Sequence, residues 1–296
     1  MEIVKPNAFI VGVPKSGKVS LRYWLSQHPE MYVCMFDTDF FSADVEGNQR
    51  DRVNSIEKYL SYFKDGKGKK IVLDQVSRSA VSRVAAKKIK EFSPNAKIII
   101  NIRNPAEQMF SWHNTLRRIG FETERDFYKA IKLEKERRRK NKSDIIKNYY
   151  YRMVADYYPQ VKRYIDIFGK KNVKVVLLDE LRDEPEKTYY SILKFLGVKK
   201  FKADLSVQNE TRREPRNQLT VHILNFLLNL PEQLRTSLKS LIPPKLVAKI
   251  RLKTVKEIKA KRKIDPKVKQ EINKSFEKNL KKLENLIDKD LSMWYS

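Results

Sequence analysis

The segment Gly12-Val-Pro-Lys15-Ser16-Gly17-Lys18-Val19-Ser20 follows the apolar run 8–11 and precedes an amphipathic stretch. A strand that ends in a glycine-framed turn and opens a helix is a place to hold phosphate. Such a turn bunches successive backbone N–H groups, and the helix adds its unpaired first-turn N–H groups and the positive end of its dipole. Lys15 and Lys18 add full charges. Two registers fit these residues. Gly12-x-x-x-x-Gly17-Lys18 matches the start of the phosphate loop of nucleoside triphosphatases, although Val19 stands where that loop needs a hydroxyl for magnesium. Read from Pro14, the same stretch is a shorter loop in which Lys15 leads.

A second segment can bind an anion. The apolar run 97–102 delivers Arg103 to its carboxyl end, and Pro105 suits the first turn of a following helix, where its missing N–H is harmless. Ser111 lies eight residues past Arg103, about two helical turns along, so a guanidinium and a hydroxyl can converge on one phosphate. The competing structural roles are an Arg103 that holds a carboxylate and a Ser111 that merely lies on a helix surface. The three histidines, His28, His113 and His222, are scattered without ligand spacing, and Cys34 is the only cysteine, so neither a Cys-rich metal site nor an internal disulfide is expected.

These residues need a scaffold, and the hydrophobic periodicity predicts one. Short apolar or β-branched runs at 8–13, 31–34, 71–74, 97–103 and 173–178 read as strands. Helical patterns fall between and after them at 20–27, 53–63, 79–92, 105–118 and 185–196, the last stopped by Gly197. Strand–helix alternation predicts an α/β fold: a phosphate-loop-like, mostly parallel central sheet of about five strands, flanked by helices, with ligands at the carboxyl ends of the strands. Gly12 and Arg103 lie at two such ends. A helical insertion is expected over about 124–168 as two long charged helices, with the basic run at 134–140 as a solvated face. Beyond residue 198 an arginine-rich loop leads into a helical tail, with helices near 221–228, 232–241 and 267–287. No internal repeat or linker is visible, so the 296 residues are expected to form a single domain.

Composition narrows the partners. Lys and Arg total 63 against 36 Asp and Glu, a formal charge of +27, which favours encounter with nucleotides, acidic glycans or other polyanions. Much of that lysine lies on solvated helix faces, and no aromatic stacking platform or reading motif accompanies it, so specific nucleic-acid binding is not expected. No run approaches the length of a membrane span, which leaves only peripheral membrane contact; the expected location is the cytoplasm. Oligomeric state is not encoded in any of these features.

The two anion-binding segments together carry a resemblance. Gly-Val-Pro-Lys15-Ser16-Gly17 followed by Ser20-Leu21 and Trp24-Leu25-x-x-His28-Pro29 resembles the 5′-phosphosulfate loop of sulfotransferases that use 3′-phosphoadenosine 5′-phosphosulfate (PAPS). Residues 97–111 resemble their 3′-phosphate segment. The similarity to the carbohydrate (heparan sulfate-type) branch continues through Asn209-Glu-Thr-Arg212-Arg213-Glu-Pro215-Arg216 and the closing Asp290-Leu-Ser-Met-Trp294. The resemblance implies an enzyme that transfers a sulfuryl group from PAPS to a hydroxyl or amine of a carbohydrate-like acceptor, an acidic glycan among the candidates, releasing adenosine 3′,5′-bisphosphate (PAP) without a metal. By matching position, Lys15 would stabilise charge on the departing sulfate. Ser16, Gly17, Lys18, Val19 and Ser20 would cradle the 5′-phosphate, Arg103 and Ser111 would hold the 3′-phosphate, and the loop bearing Arg212, Arg213 and Arg216 would close over the adenosine side.

The acceptor needs a base, which the family branch supplies as a Glu in a Lys-Glu-x-x-Phe-Phe pattern. Here Phe36-Asp37-Thr38-Asp39-Phe40-Phe41 puts Asp37 at the Glu position, one methylene shorter, with Asp39 as the alternative and a loop-capping role as the third possibility. Phe40 and Phe41 are expected in the core. Lys18-Val19 stands where relatives commonly carry Thr-Thr, and Gln75 where they carry a lysine after the third strand. The departures leave two other readings open: a phosphate-loop ATPase or kinase, supported by two apolar runs that end in acid at Asp74 and Asp179-Glu180, and a non-catalytic descendant that binds nucleotide or polyanion.

Overall fold

The computed structural model describes residues 3–46, 53, 55–207, 213–215, 219, 222, 226, 255–257 and 263–295. Five parallel strands, β1 (Ala8–Ile10), β2 (Met31–Asp37), β3 (Ile71–Gln75), β4 (Lys97–Ile102) and β5 (Val173–Leu177), form one sheet in the order β2-β3-β1-β4-β5. The expected α/β architecture is therefore present. β1 lies in the middle, hydrogen-bonded to β3 and β4 on its two sides. Strand connections diverge around that point, and the crevice they leave at the carboxyl edge is where such sheets bind ligands.

Side chains of β1 alternate between two cores. Ala8 and Ile10 join Leu21, Trp24 and Leu25 of α1 (Lys18–Ser26) and Ile192, Leu193 and Leu196 of α9 (Pro185–Leu196). Phe9 faces the other side, toward α2 (Ile56–Ser61), α3 (Ala85–Phe92), α4 (Pro105–Ile119), α7 (Tyr157–Phe168) and α10 (Pro266–Ile287), which contribute Tyr59, Ile89, Met109, Tyr164 and Leu280. Phe41 is 3% exposed and packs edge-on against Phe9, as a core residue should; Phe40 stacks on Tyr59. Burial on both faces explains why the strands read as continuous apolar runs.

Several boundaries differ from the sequence expectation. β1 stops at Ile10, yet the Val11 and Val13 N–H groups still donate to Ile99 and Asn101 of β4, at 2.9 and 3.3 Å, so the chain tracks β4 into the turn. β2 continues three residues past Cys34, with Met35, Phe36 and Asp37 exposed, which carries Asp37 to the strand's end after a register shift against β3. The helix expected over 79–92 begins only at Ala85. Ser82 and Asp44 account for this: the Ser82 hydroxyl accepts from the Ala85 N–H at 3.0 Å and donates to Asp44, and the Asp44 carboxylate also takes the Arg83 N–H. Local side-chain bonds of this kind compete with helix and favour caps.

The insertion contains α5 (Phe127–Lys140), the short α6 (Tyr151–Ala155) and α7, three helices rather than two long ones. Its basic run is not wholly solvated. Arg137 turns inward and makes a two-pronged bond at 2.6 and 2.8 Å to Glu122, which also accepts from the Tyr151 hydroxyl and the Glu124 N–H. A short helix α8 (Leu178–Asp183) follows β5, and α10 lies against α4 and α7. Of the tail helices expected at 221–228 and 232–241, only His222 and Phe226 fall among the described residues, and both are helical. β6 (Arg213–Pro215) pairs antiparallel with β7 (Val255–Glu257) and lies against α4.

Gly12, two residues past β1, lies directly against the β4 backbone at Asn101. A Cβ there would lie 2.6 Å from the Asn101 nitrogen and 2.7 Å from its carbonyl oxygen, both backbone atoms that cannot step aside. Gly12→Ala is therefore expected to lower stability by about 1–3 kcal/mol, read by urea unfolding, and to distort the turn. An unchanged unfolding midpoint would show that β1 and β4 can separate there at no cost.

Candidate active site

The phosphate turn occupies 13–17, and α1 opens at Lys18 with Gly17 as its N-cap in the left-handed region (φ 84°) and no side-chain cap. A Cβ at Gly17 would lie 2.7 Å from Leu178 Cδ1, so the position is closed by packing as well as by backbone conformation. Lys15 also has positive φ (68°), a conformation that folds the turn back on itself. The carbonyls of the turn are held from behind. Val13 O accepts from the buried Ser16 hydroxyl at 2.7 Å and from Lys18 Nζ; Pro14 O accepts from Gln108 Nε2 at 3.1 Å. Longer contacts of 3.5 Å tie Lys15 O to Arg103 and Ser16 O to Asn101. These bonds engage the carbonyls of residues 13–16 within the protein.

Arg103 follows β4 directly, and Asn104 caps α4 by accepting the Glu107 N–H at 3.1 Å. The guanidinium pairs with Glu107 at 2.9 Å, and Lys269 of α10 reaches the other oxygen of the same carboxylate at 2.7 Å. Arg103 thus does hold a carboxylate, the structural role considered above, and it does so while also touching the turn. Burial would raise the Glu107 pKa, but Lys269 and Arg103 outweigh it and hold the carboxyl below its usual range. Ser111 lies one turn beyond Glu107 on α4, half-buried, so 103, 107 and 111 follow one face in steps of four. Val19 and Ser20 occupy the first turn of α1. Arg212 and Arg216 lie outside the described residues. Arg213 begins β6, with its backbone beside α4.

The two candidate bases differ in surroundings. Asp37, at the exposed end of β2, accepts the Ser77 N–H at 3.2 Å and otherwise faces outward. Asp39 is 8% exposed, has positive φ (46°) and forms an ion pair with Arg78. Asp74, which the ATPase reading needs as a metal ligand, is fully buried and accepts from the Tyr59 and Thr38 hydroxyls at 2.8 and 3.0 Å. Burial pushes its pKa up to about 7, the behaviour of a carboxyl enclosed in the core. Gln75 is 3% exposed and brings no charge to the end of β3. Among the described residues no group of three or more His, Cys, Asp or Glu side chains is arranged to hold a metal, and His113 serves packing: it bonds to the Glu124 carbonyl, and burial lowers its pKa to about 4.

Sequence reasoning missed Asn101, Gln108, Arg78 and Lys269. Asn101 had a signal, a polar residue interrupting an apolar strand two positions before Arg103. The others act across the fold and carried none.

The fold and site define a phosphate-binding α/β transferase of the kind that holds its anion on a turn between the first strand and first helix. The sequence pattern of the Sulfotransferase domain family matches residues 5–284, and the chain belongs to that family. A solved structure of a sulfotransferase from Alicyclobacillus acidocaldarius superposes with a TM-score of 0.74 at 27% identity, covering 99% of both chains. The human bifunctional heparan sulfate N-deacetylase/N-sulfotransferase 2 is 25% identical over 206 residues, 66% of this chain and 22% of that protein. The human heparan sulfate glucosamine 3-O-sulfotransferase 6 is 28% identical over 106 residues, 36% of this chain and 29% of its own length. The chain thus spans about a fifth to a third of the curated relatives it matches. The sulfuryl donor that goes with this family is PAPS, and a glycine-framed turn that opens a helix without a side-chain cap fits a phosphosulfate.

Lys18 is the buried cation of the turn. It is 5% exposed, and burial lowers its pKa to about 7; the Asp37 charge opposes that shift, while Lys15, Arg78 and Arg22 add to it. The unfolded chain keeps this proton up to the ordinary value of 10.5, so between pH 7 and 10 the unfolded state binds more protons and stability rises with pH. Relative to wild type, Lys18→Met should be more stable near pH 7 by about 1–3 kcal/mol, with the difference shrinking toward pH 10, as measured by urea unfolding at each pH. A difference independent of pH would mean that Lys18 remains charged throughout.

Proposed function

We propose that this protein transfers the sulfuryl group of PAPS to a hydroxyl or amine of a carbohydrate-like acceptor. The observation that carries the reading is the junction of the turn with β4 and α4: one arginine, Arg103, touches the 5′-phosphate turn and heads the helix that bears Ser111. A donor with phosphates at both ends of its ribose needs such a pair of sites, and ATP does not. Val19 and the enclosure of Asp74 weigh against the ATPase reading. The likeness to heparan sulfate sulfotransferases supports a sugar acceptor, and the +27 charge suits an acidic one. The single, buried Cys34 suits a cytoplasmic setting, and no described helix is long and apolar enough to cross a membrane.

The roles are carried over from the family by matching position. Ser16, Gly17, Lys18, Val19 and Ser20 cradle the 5′-phosphosulfate, Arg103 and Ser111 take the 3′-phosphate, and the segment with Arg212, Arg213 and Arg216 covers the adenosine side. Lys15 stabilises the negative charge that builds on the oxygen left behind when the sulfur–oxygen bond breaks. Asp37 takes the proton of the acceptor as its oxygen or nitrogen bonds to sulfur; Asp39, engaged by Arg78, is the poorer base. A carboxylate base of this kind is worth about 10²- to 10⁴-fold.

Transfer of radiolabelled sulfate from PAPS to a panel of glycans and glycosides should be detectable for wild type. Asp37→Asn should lower it by about 10²-fold or more, and Lys15→Ala by about 10²- to 10³-fold, while both still bind PAP. Tight PAP binding with no transfer to any acceptor would favour the non-catalytic reading instead.

A further inference from the structure

β2 keeps apolar side chains past the point where the two cores need them. Val33 and Cys34 are buried, one in each core, but Met35 is 52% exposed and Phe36 63%. These two directly precede Asp37, the last residue of the strand, at the carboxyl edge of the sheet. β2 is an edge strand of the five-stranded sheet, paired with β3 alone. The Phe36 ring leans on Tyr62, which follows α2, with ring centres 5.2 Å apart and planes tilted by 45°. Tyr62 is fixed in turn, its carbonyl accepting from the Tyr32 hydroxyl at 2.6 Å. Phe36 is therefore steadied from one side and open to water over most of its surface.

The chemistry at Asp37 decides what meets these side chains. A base acts on a proton within hydrogen-bond reach, about 2.6–3.2 Å, so the reacting oxygen or nitrogen of the acceptor must rest on the Asp37 carboxylate. Neighbouring Cα atoms lie only about 3.8 Å apart, so an acceptor of sugar size extends over the residues that flank the base. One flank offers nothing to it: Thr38 and Asp39 are buried and engaged by Asp74 and Arg78. The other flank is Phe36 and Met35, apolar and exposed. The net charge of +27 acts on approach, at longer range, and supplies no cation at these two positions.

We propose that Met35 and Phe36 form an acceptor subsite beside Asp37 that takes an apolar aglycone, so that the acceptor is a glycoside with an aryl or alkyl group near its reacting hydroxyl or amine. This rests on the sulfotransferase reading and on Asp37 as its base. Such a group removes the exposed Phe36 and Met35 surface from water, and an aryl group adds a ring contact to Phe36. An acidic sugar at the same place would leave that surface wet.

Three probes that share a pyranose ring separate these chemistries: 4-nitrophenyl β-D-glucopyranoside, methyl β-D-glucopyranoside and methyl β-D-glucuronide. Calorimetric titration of the full chain saturated with PAP should show the nitrophenyl glucoside binding about tenfold or more tightly than either methyl glycoside. Phe36→Ser, a change at an exposed position, should shrink that margin to within about twofold and leave PAP affinity unchanged, whereas Phe36→Tyr should keep it. Phe36→Lys should lose the aryl margin and bind the glucuronide more tightly than wild type does. Equal affinity of wild type for the three probes, binding of none of them, or an aryl margin that survives Phe36→Ser would overturn the proposal. So would a wild-type dimer, seen by sedimentation, that Phe36→Ser splits without changing the margin, since the exposed side chains would then be a contact between copies. Failure of wild type to bind PAP would instead overturn the sulfotransferase reading beneath it.

Discussion

The turn between β1 and α1 keeps its shape because its carbonyls are held from behind by side chains of other elements. Gln108, Arg103 and Asn101 reach Pro14, Lys15 and Ser16 from the β4–α4 junction, and Ser16 and Lys18 close on Val13 from within. A carbonyl turned toward a phosphate would repel it, so engaging the turn's carbonyls within the protein suits the anion-binding role proposed for it. It also explains the demand for Gly12, since the tether works only if β1 and β4 approach until no Cβ fits between them. Residues 85 to 94 positions apart along the chain thereby join the turn and the β4–α4 junction into one structural unit.

Charge is distributed around that unit with more discrimination than the overall +27 suggests. Glu107 takes both Arg103 and Lys269, joining α10 to the β4–α4 junction. Asp39 takes Arg78, and the Asp37 charge acts on both Lys18 and Arg78. Each carboxylate lowers the cost of holding several cations close together while no anion is bound.

The parallel sheet, the turn and the Arg103 segment were legible because each depends on local pattern: apolar runs ended by glycine or by a charged residue before proline. The first phosphate register was ambiguous until the second segment was considered with it. Other features were not legible because they depend on distance in space. The continuation of β2 through exposed Met35 and Phe36 has no apolar alternation to announce it. The late start of α3 is decided by Asp44, 41 positions upstream of its first residue. Arg137 and Glu134 sit in a run that reads as solvated, yet they turn toward Glu122 and the Arg152 backbone N–H. Lys269 reaches Glu107 from a helix at the far end of the chain.

The central claim is that the turn and the Arg103 segment form one site for a nucleotide with phosphates on both the 5′ and 3′ positions. Titration of the protein with PAP and with 5′-AMP, without added metal, tests it most directly. PAP should bind at least about tenfold more tightly than 5′-AMP, the worth of a charged contact to the extra phosphate, and Arg103→Ala should erase most of that margin. Equal affinity for the two nucleotides, or a preference for ATP that requires magnesium, would contradict the account.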